Sequence, residues 1–223
     1  MLPVPGVWGV VVAAGSGERY GGAKQFETLK GRTVVEWSVV TCKRACEGVI
    51  VVLPPGPTDP RFGDRRFGAD IAVAGGASRS ASVRNALNSV PPDATAVVVH
   101  DAARPLAGIE LYERVITTLA DSDADGVICA LPLSDTLKRV SGDPAYVSAT
   151  LDREGLVLVQ TPQAFEAEIL RRAHATGEDA TDDSGLVELV GGSVTVVPGD
   201  MRNVKITTPA DLAYCKYLLA GSR

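Results

Sequence analysis

Histidine and cysteine are scarce in this chain of 223 residues, which holds only His100 and His174 and the four cysteines Cys42, Cys46, Cys129 and Cys215. No C-x-x-C spacing occurs among them, so the pattern speaks against both a zinc cage and a disulfide framework. Cys42 and Cys46 lie one helical turn apart in an apolar pattern, where they read as small buried side chains. Long apolar runs are missing too. None approaches the ~18 residues that cross a bilayer, and Met1-Leu-Pro-Val-Pro-Gly6 lacks the basic start of a secretory signal. The expectation is a cytoplasmic protein with no membrane partner. Positive charge is in the minority as well: 22 Lys and Arg face 27 Asp and Glu, a net charge of −5. This argues against a general nucleic-acid binder, whose affinity rests on neutralising phosphates. An anionic ligand must then meet cations that are locally clustered.

What is present describes an ordinary globular chain, 45% apolar and 22% charged. Its length suits one domain spanning residues 1–223, and a chain of this size buries about 70–75% of its unfolded surface without needing cross-links. The 23 glycines and 14 prolines fall at the ends of apolar runs and act as loop punctuation.

Valine-rich runs at 7–14, 48–53, 70–74, 96–100 and 126–131 predict buried strands. Segments 33–46, 78–90 and 109–120 carry apolar residues at helical spacing. The alternation predicts an α/β fold, a Rossmann-like and mainly parallel sheet with helices on both faces. Such sheets bind ligands outside the carboxyl ends of their strands, near a topological switch point. After Leu131 the rhythm changes. Segments 136–140 and 146–149 are short, polar and β-prone around the turn Ser141-Gly-Asp-Pro144, which predicts a protruding β-hairpin arm over about 132–155. A further β-prone stretch at 156–160 precedes Thr161-Pro-Gln163 and a helix to about His174. Strands at 193–197 and 204–206 and a helix over 209–219 close the chain.

The most informative segment is Val11-Val-Ala-Ala-Gly-Ser-Gly-Glu-Arg-Tyr-Gly-Gly-Ala-Lys-Gln25. Glycines after a buried strand let main-chain N–H groups approach phosphate oxygens. Tyr20 stands where the dinucleotide fingerprint G-x-G-x-x-G needs glycine, and the P-loop pattern is absent, so an oxidoreductase reading fails. Arg19 and Lys24 are distinctive here. Either alone could be a solvated loop charge, whereas two beside one glycine loop point to an anionic ligand.

Ala13-Ala-Gly-Ser-Gly17, Arg19 and Ala23-Lys-Gln25 resemble the signature of the sugar-phosphate nucleotidyltransferases. Within that group the chain is similar to the 2-C-methyl-D-erythritol 4-phosphate cytidylyltransferases of the non-mevalonate isoprenoid pathway. Gly75-Gly76 with Arg79 and Ser82, His100-Asp-Ala-Ala-Arg-Pro105, Asp135-Thr136, Asp152-Arg153, Thr161-Pro-Gln163, Thr181-Asp182 and Lys205 continue the match in family order. Ribitol 5-phosphate cytidylyltransferases are similar but usually carry Ser-Val where Ala102-Ala103 stand.

The resemblance implies attack of an acceptor phosphate oxygen on the α-phosphorus of CTP, with pyrophosphate leaving. That nucleophile is already anionic at pH 7, so the scarcity of histidine fits. By resemblance Arg19 and Lys24 are catalytic, and Ala13, Ala14, Gly15, Ser16, Gly17, Gly76, Arg79, Ser82, Asp101 and Ala102 bind CTP. Arg104, Thr136, Arg153, Thr181 and Lys205 hold the acceptor phosphate, with Thr136 reaching a neighbouring subunit's site in a homodimer. Mg2+ is the implied cofactor, held mainly by phosphate oxygens and water. From the residues alone, Gly75-Gly76 also suit a tight turn, and Ser78 or Ser80 a helix N-cap. Asp101 likewise suits a turn cap, His100 a packed strand end, and Arg104, before Pro105, an extended rim position. Two positions depart from the family: Ala77 replaces an acidic residue after the glycines, and Arg202 stands where an acidic residue precedes the lysine, with Asp200 as a substitute. The alternatives are another polyol-phosphate cytidylyltransferase and a non-catalytic nucleotide binder.

Overall fold

Valine fills the strands because helices cover the sheet on both faces, so both sides of each pleat are buried. In the first strand, β1 (Val4–Val12), Val7, Val11 and the following Ala13 enter the core on one face, and Val10 enters the other. The computed structural model describes residues 3–55 and 67–221; Met1 and Leu2 of the amino-terminal reading lie outside them. In chain order, β1 is followed by two 3-10 turns (Glu18–Tyr20 and Lys24–Phe26), β2 (Thr28–Leu29), β3 (Arg32–Thr33), α1 (Val34–Ala45), β4 (Cys46–Leu53), β5 (Ile71–Ala74), α2 (Arg79–Leu87) and β6 (Ala96–Asp101). Next come α3 (Ile109–Ala120), β7 (Gly126–Pro132), β8 (Leu137–Ser141), β9 (Tyr146–Leu151), β10 (Val157–Glu166), α4 (Ala167–Ala175), α5 (Asp183–Leu189), β11 (Val194–Pro198) and α6 (Pro209–Ala220).

Seven strands form the main sheet in the order β11-β7-β10-β6-β1-β4-β5. Every pairing is parallel except those of β10, which runs antiparallel to both β6 and β7. The chain leaves β1 toward β4 and β5 on one side, then returns to β6 on the other. This reversal at β1 is the switch point where open α/β sheets bind ligands. Helices α1 and α3 cover one face, α2, α4 and α5 the other, and α6 packs with Ile206 against Leu29 and Val34 in a third cluster. The hairpin β8-β9 is a separate two-stranded sheet, as the turn signal at Ser141 predicts.

Local chemistry sets the helix starts. Thr33 and Glu36 form a capping box on α1, Ser78 caps α2 by accepting from the Ala81 N–H at 3.0 Å, and Asp182 caps α5. Cys42 and Cys46 are buried, with their sulfurs 3.9 Å apart.

Three expectations need correction. Residues 204–206 form no strand; Ile206 is instead tied by one bond from its N–H to the Ala103 carbonyl, 2.8 Å, and buried by its side chain. The strand expected at 156–160 runs on through Thr161-Pro162-Gln163 to Glu166, with a register shift between Gln160 and Gln163 that accommodates the proline. Helix α5 is additional, a seven-residue segment too short for periodicity to reveal.

Candidate active site

A cavity of about 680 Å3 opens beside the carboxyl ends of β1 and β6. Its floor is the glycine loop. Gly17 has φ +71°, and a Cβ there would lie 1.8 Å from the Gly22 carbonyl oxygen, so only glycine fits. The Gly17 carbonyl accepts from the N–H groups of Tyr20 (2.8 Å), Gly21 (3.0 Å) and Gly22 (3.2 Å), which curls the loop back on itself. Buried Gln25 donates from Nε2 to the Gly15 carbonyl at 3.2 Å, bracing the loop from behind. Arg19 and Lys24 thereby both line the cavity. Burial lowers the Lys24 pKa, and the neighbouring charges of Lys205 and Arg19 lower it further, against Asp101 and Asp211. Such a cluster of cations invites an anion.

One side wall is the turn after β5. A Cβ at Gly75 would come within 2.3 Å of the Ala14 Cβ, so the absence of a side chain lets this turn close on the glycine loop. Ser82 Oγ accepts from the Gly76 N–H at 3.1 Å and donates to the Ser78 carbonyl at 2.8 Å. It is a strut across the turn as well as a lining residue. Ala77, the first departure, lies in this wall.

The opposite wall is the end of β6. Asp101, its side chain 12% exposed, accepts from Arg79 Nε at 3.2 Å on Oδ1 and from Lys205 Nζ at 2.7 Å on Oδ2. Burial pushes its pKa up, but the charges of Arg79 and Lys205 prevail and hold it well below the usual carboxylate range. Asp101 therefore serves as the carboxylate partner of Lys205. Asp200, the substitute considered for the second departure, spends its Oδ1 on the Arg202 N–H at 2.7 Å.

The structure brings Ala13, Ala14, Gly15, Ser16, Gly17, Arg19, Lys24, Gly76, Arg79, Ser82, Asp101, Ala102 and Lys205 around one cavity. Arg104, Thr136, Arg153 and Thr181 are not in its lining. Arg104 is not free at the rim as expected: Nη1 donates to the Asn203 carbonyl at 2.8 Å and Nη2 to the Val159 carbonyl at 3.3 Å, so it braces the wall behind Asp101. Thr136 and Arg153 are exposed where the arm leaves the sheet, Arg153 donating to the Ser134 carbonyl, and Thr181 is exposed just before α5. His100 is wholly buried away from the cavity, a packed strand end as its position suggests. Sequence reasoning missed Asp183 and His174, which stand behind Arg79. Asp183 adjoins the Thr181-Asp182 motif, but no local pattern links it to an arginine 104 positions away.

Lysine and arginine converging on a glycine loop at a switch point, with neither histidine nor cysteine in the lining, suit transfer between two phosphate-bearing partners. Fold and site together define a nucleotidyltransferase. A sequence model of the IspD family, 2-C-methyl-D-erythritol 4-phosphate cytidylyltransferase, matches residues 7–221. The chain belongs to this family. It is 42% identical over 227 residues to the 2-C-methyl-D-erythritol 4-phosphate cytidylyltransferase of Frankia casuarinae, covering 98% of this chain and 84% of that protein. A bifunctional enzyme IspD/IspF of Anaeromyxobacter dehalogenans is 41% identical over 96% of this chain, which spans 57% of that longer protein. The crystal structure of the 2-C-methyl-D-erythritol 4-phosphate cytidylyltransferase from Thermus thermophilus superposes with a TM-score of 0.80 at 35% identity, over 95% of this chain and 98% of that one.

Proposed function

We propose that this protein transfers the cytidylyl group of CTP to 2-C-methyl-D-erythritol 4-phosphate. The products are 4-diphosphocytidyl-2-C-methyl-D-erythritol, an isoprenoid precursor, and pyrophosphate. The observation that carries the reading is the convergence of Arg19, Lys24 and Lys205 on one glycine-floored cavity beside Asp101. An acceptor phosphate oxygen attacks the α-phosphorus in line as the bond to pyrophosphate breaks. No side chain needs to remove a proton, because the attacking oxygen is already anionic. The barrier is electrostatic: two polyanions must be held together while charge grows on the leaving group. Arg19 supplies a planar fork and Lys24 a compact charge for those oxygens. The loop Ala13–Gly17 and the turn at Gly76 and Ser82 flank the nucleotide, and Asp101 faces its ribose.

Among the described residues, the lining offers two carboxylates, Glu18 and Asp101. Asp101 has a cation on each oxygen, and Glu18 Oε1 accepts from Ser16 Oγ at 3.2 Å. Neither builds an ion cage, which suits Mg2+ entering with CTP as part of the substrate, coordinated by phosphate oxygens and water. Chelation by EDTA then abolishes turnover, and added Mg2+ restores it.

For the acceptor phosphate we propose Lys205 from the cavity wall, with Thr181, Arg153 and Thr136 and with Arg104 as the brace behind. Thr136 is outside its own chain's cavity, and the arm exposes Val140, Tyr146 and Val147. This supports a homodimer in which each arm completes the other subunit's site. Four buried, unpaired thiols suit the reducing cytoplasm. The deciding assay is pyrophosphate release from CTP, ATP, GTP and UTP, with methylerythritol phosphate and ribitol 5-phosphate side by side. CTP with methylerythritol phosphate is the expected pair. A strong preference for ribitol 5-phosphate overturns the acceptor, and CTP binding without release with either acceptor makes the protein a nucleotide binder instead.

A further inference from the structure

Behind the cavity, a line of charged groups runs into the interior. Asp183, in the first turn of α5, has a side chain with no exposure, and both its oxygens are engaged. Oδ1 is 3.0 Å from His174 Nε2 on α4, and Oδ2 accepts from Arg79 Nη1 at 2.8 Å. The Arg79 Nε–H reaches forward to Asp101 Oδ1, and Lys205 meets the other Asp101 oxygen. Arg79 is thus spread over two carboxylates on different elements. Nε and Nη1 are spent on those two carboxylates, while the third nitrogen, Nη2, is shielded from solvent and has no hydrogen-bond partner. A buried carboxylate is costly unless paired, and Asp183 has two partners only because α4, α5 and α2 meet here.

We propose that Asp183, seated by His174, is a positioning residue for nucleotide binding. It anchors the inner end of Arg79, so that Arg79 and Lys205 grip Asp101 from both sides and hold its carboxylate in one orientation toward the nucleotide. This rests on the reading of the cavity as the CTP site. Asp183→Asn keeps the shape and an acceptor oxygen but removes the charge that fixes Arg79. The expected result is a rise of about tenfold in KM for CTP, the equivalent of ~1.4 kcal/mol, with kcat per folded site and the acceptor KM within about twofold. A merely structural role would lower the folded fraction and leave KM for CTP alone.

His174→Gln keeps a donor near Asp183 and is expected to raise KM for CTP about threefold. It carries the kinetic test if Asp183→Asn does not fold. A readout free of turnover is the Arg79 Nε–H resonance of the unliganded protein, protected from exchange in wild type and lost in Asp183→Asn, or in His174→Gln if that variant must serve. Unchanged KM for CTP and a persisting resonance in a folded variant overturn the proposal. If wild type shows no turnover with CTP, the functional reading fails, and the resonance alone decides whether Asp183 holds Arg79.

Discussion

Replacing His100 tests how the wall behind Asp101 is wired. The His100 ring is wholly buried between the Thr161 hydroxyl and the Arg104 carbonyl. The Asp101 N–H donates to Thr161 Oγ1 at 3.0 Å. The Thr161 hydroxyl is therefore free to donate to His100 Nδ1, 3.1 Å away, and His100 Nε2–H donates to the Arg104 carbonyl at 3.2 Å. That order of protons requires a neutral imidazole. Burial drives the His100 pKa down to about 4; the charges of Arg104 and Lys205 also lower it, against Asp101 and the bond to the Arg104 carbonyl. Unfolded histidine titrates near ~6.5, so between these values the unfolded chain binds the extra proton and stability falls as the pH falls. The whole interval corresponds to about 3 kcal/mol, of which about 2 kcal/mol is lost between pH 7 and pH 5. For a chain of this length that is about 4–8 °C in Tm. Thermal unfolding followed by circular dichroism at the two pH values measures it. Wild type should lose about 4–8 °C more than His100→Asn over the same interval, whatever the variant's stability at pH 7. Parallel losses in the two proteins would refute the buried neutral histidine.

Arg19→Ala and Lys24→Ala should each lower kcat by roughly 10²- to 10³-fold, the scale for one donor to a developing anion, with Tm nearly unchanged because both sit in short 3-10 turns outside the core; near-normal turnover in either removes it from catalysis. Gly17→Ala forces a side chain into the space of the Gly22 carbonyl, so CTP affinity measured by calorimetry should fall at least about tenfold, the equivalent of ~1.4 kcal/mol of binding free energy lost to the displaced loop; wild-type affinity would show that the loop curl is dispensable. Val147→Asp places a charge on the apolar arm, where Val147 is 62% exposed. Sedimentation should show a monomer with reduced turnover, and an active dimer would mean that the arm is not the contact.

Much of the fold can be read in the chain because its strands and helices are strongly periodic. Runs such as Val49–Leu53 and Val97–Val99 are buried on both faces, and their valines announce it. The direction of β10 was not legible, since an apolar run looks the same parallel or antiparallel. Residues 204–206 resemble a strand because Val204 and Ile206 are apolar, yet Ile206 is buried by α6 rather than by a ladder. In the site, the glycine loop with Arg19 and Lys24 stood out because spacing within about fifteen residues carries the chemistry. Asp183 and His174 did not, because their partnership with Arg79 exists only across the packed helices.

Sequence alone determined the alternating α/β pattern, the glycine loop after the first strand, and the scarcity of histidine and cysteine. Those are local matters, set by backbone sterics and side-chain type. Tertiary structure decided which cations share a cavity, why Arg104 is spent on carbonyls, and how Asp101 stays charged though buried. These depend on distances between residues far apart in the chain, and a charge in a low-dielectric wall is stable only when folding brings its partners within hydrogen-bond reach.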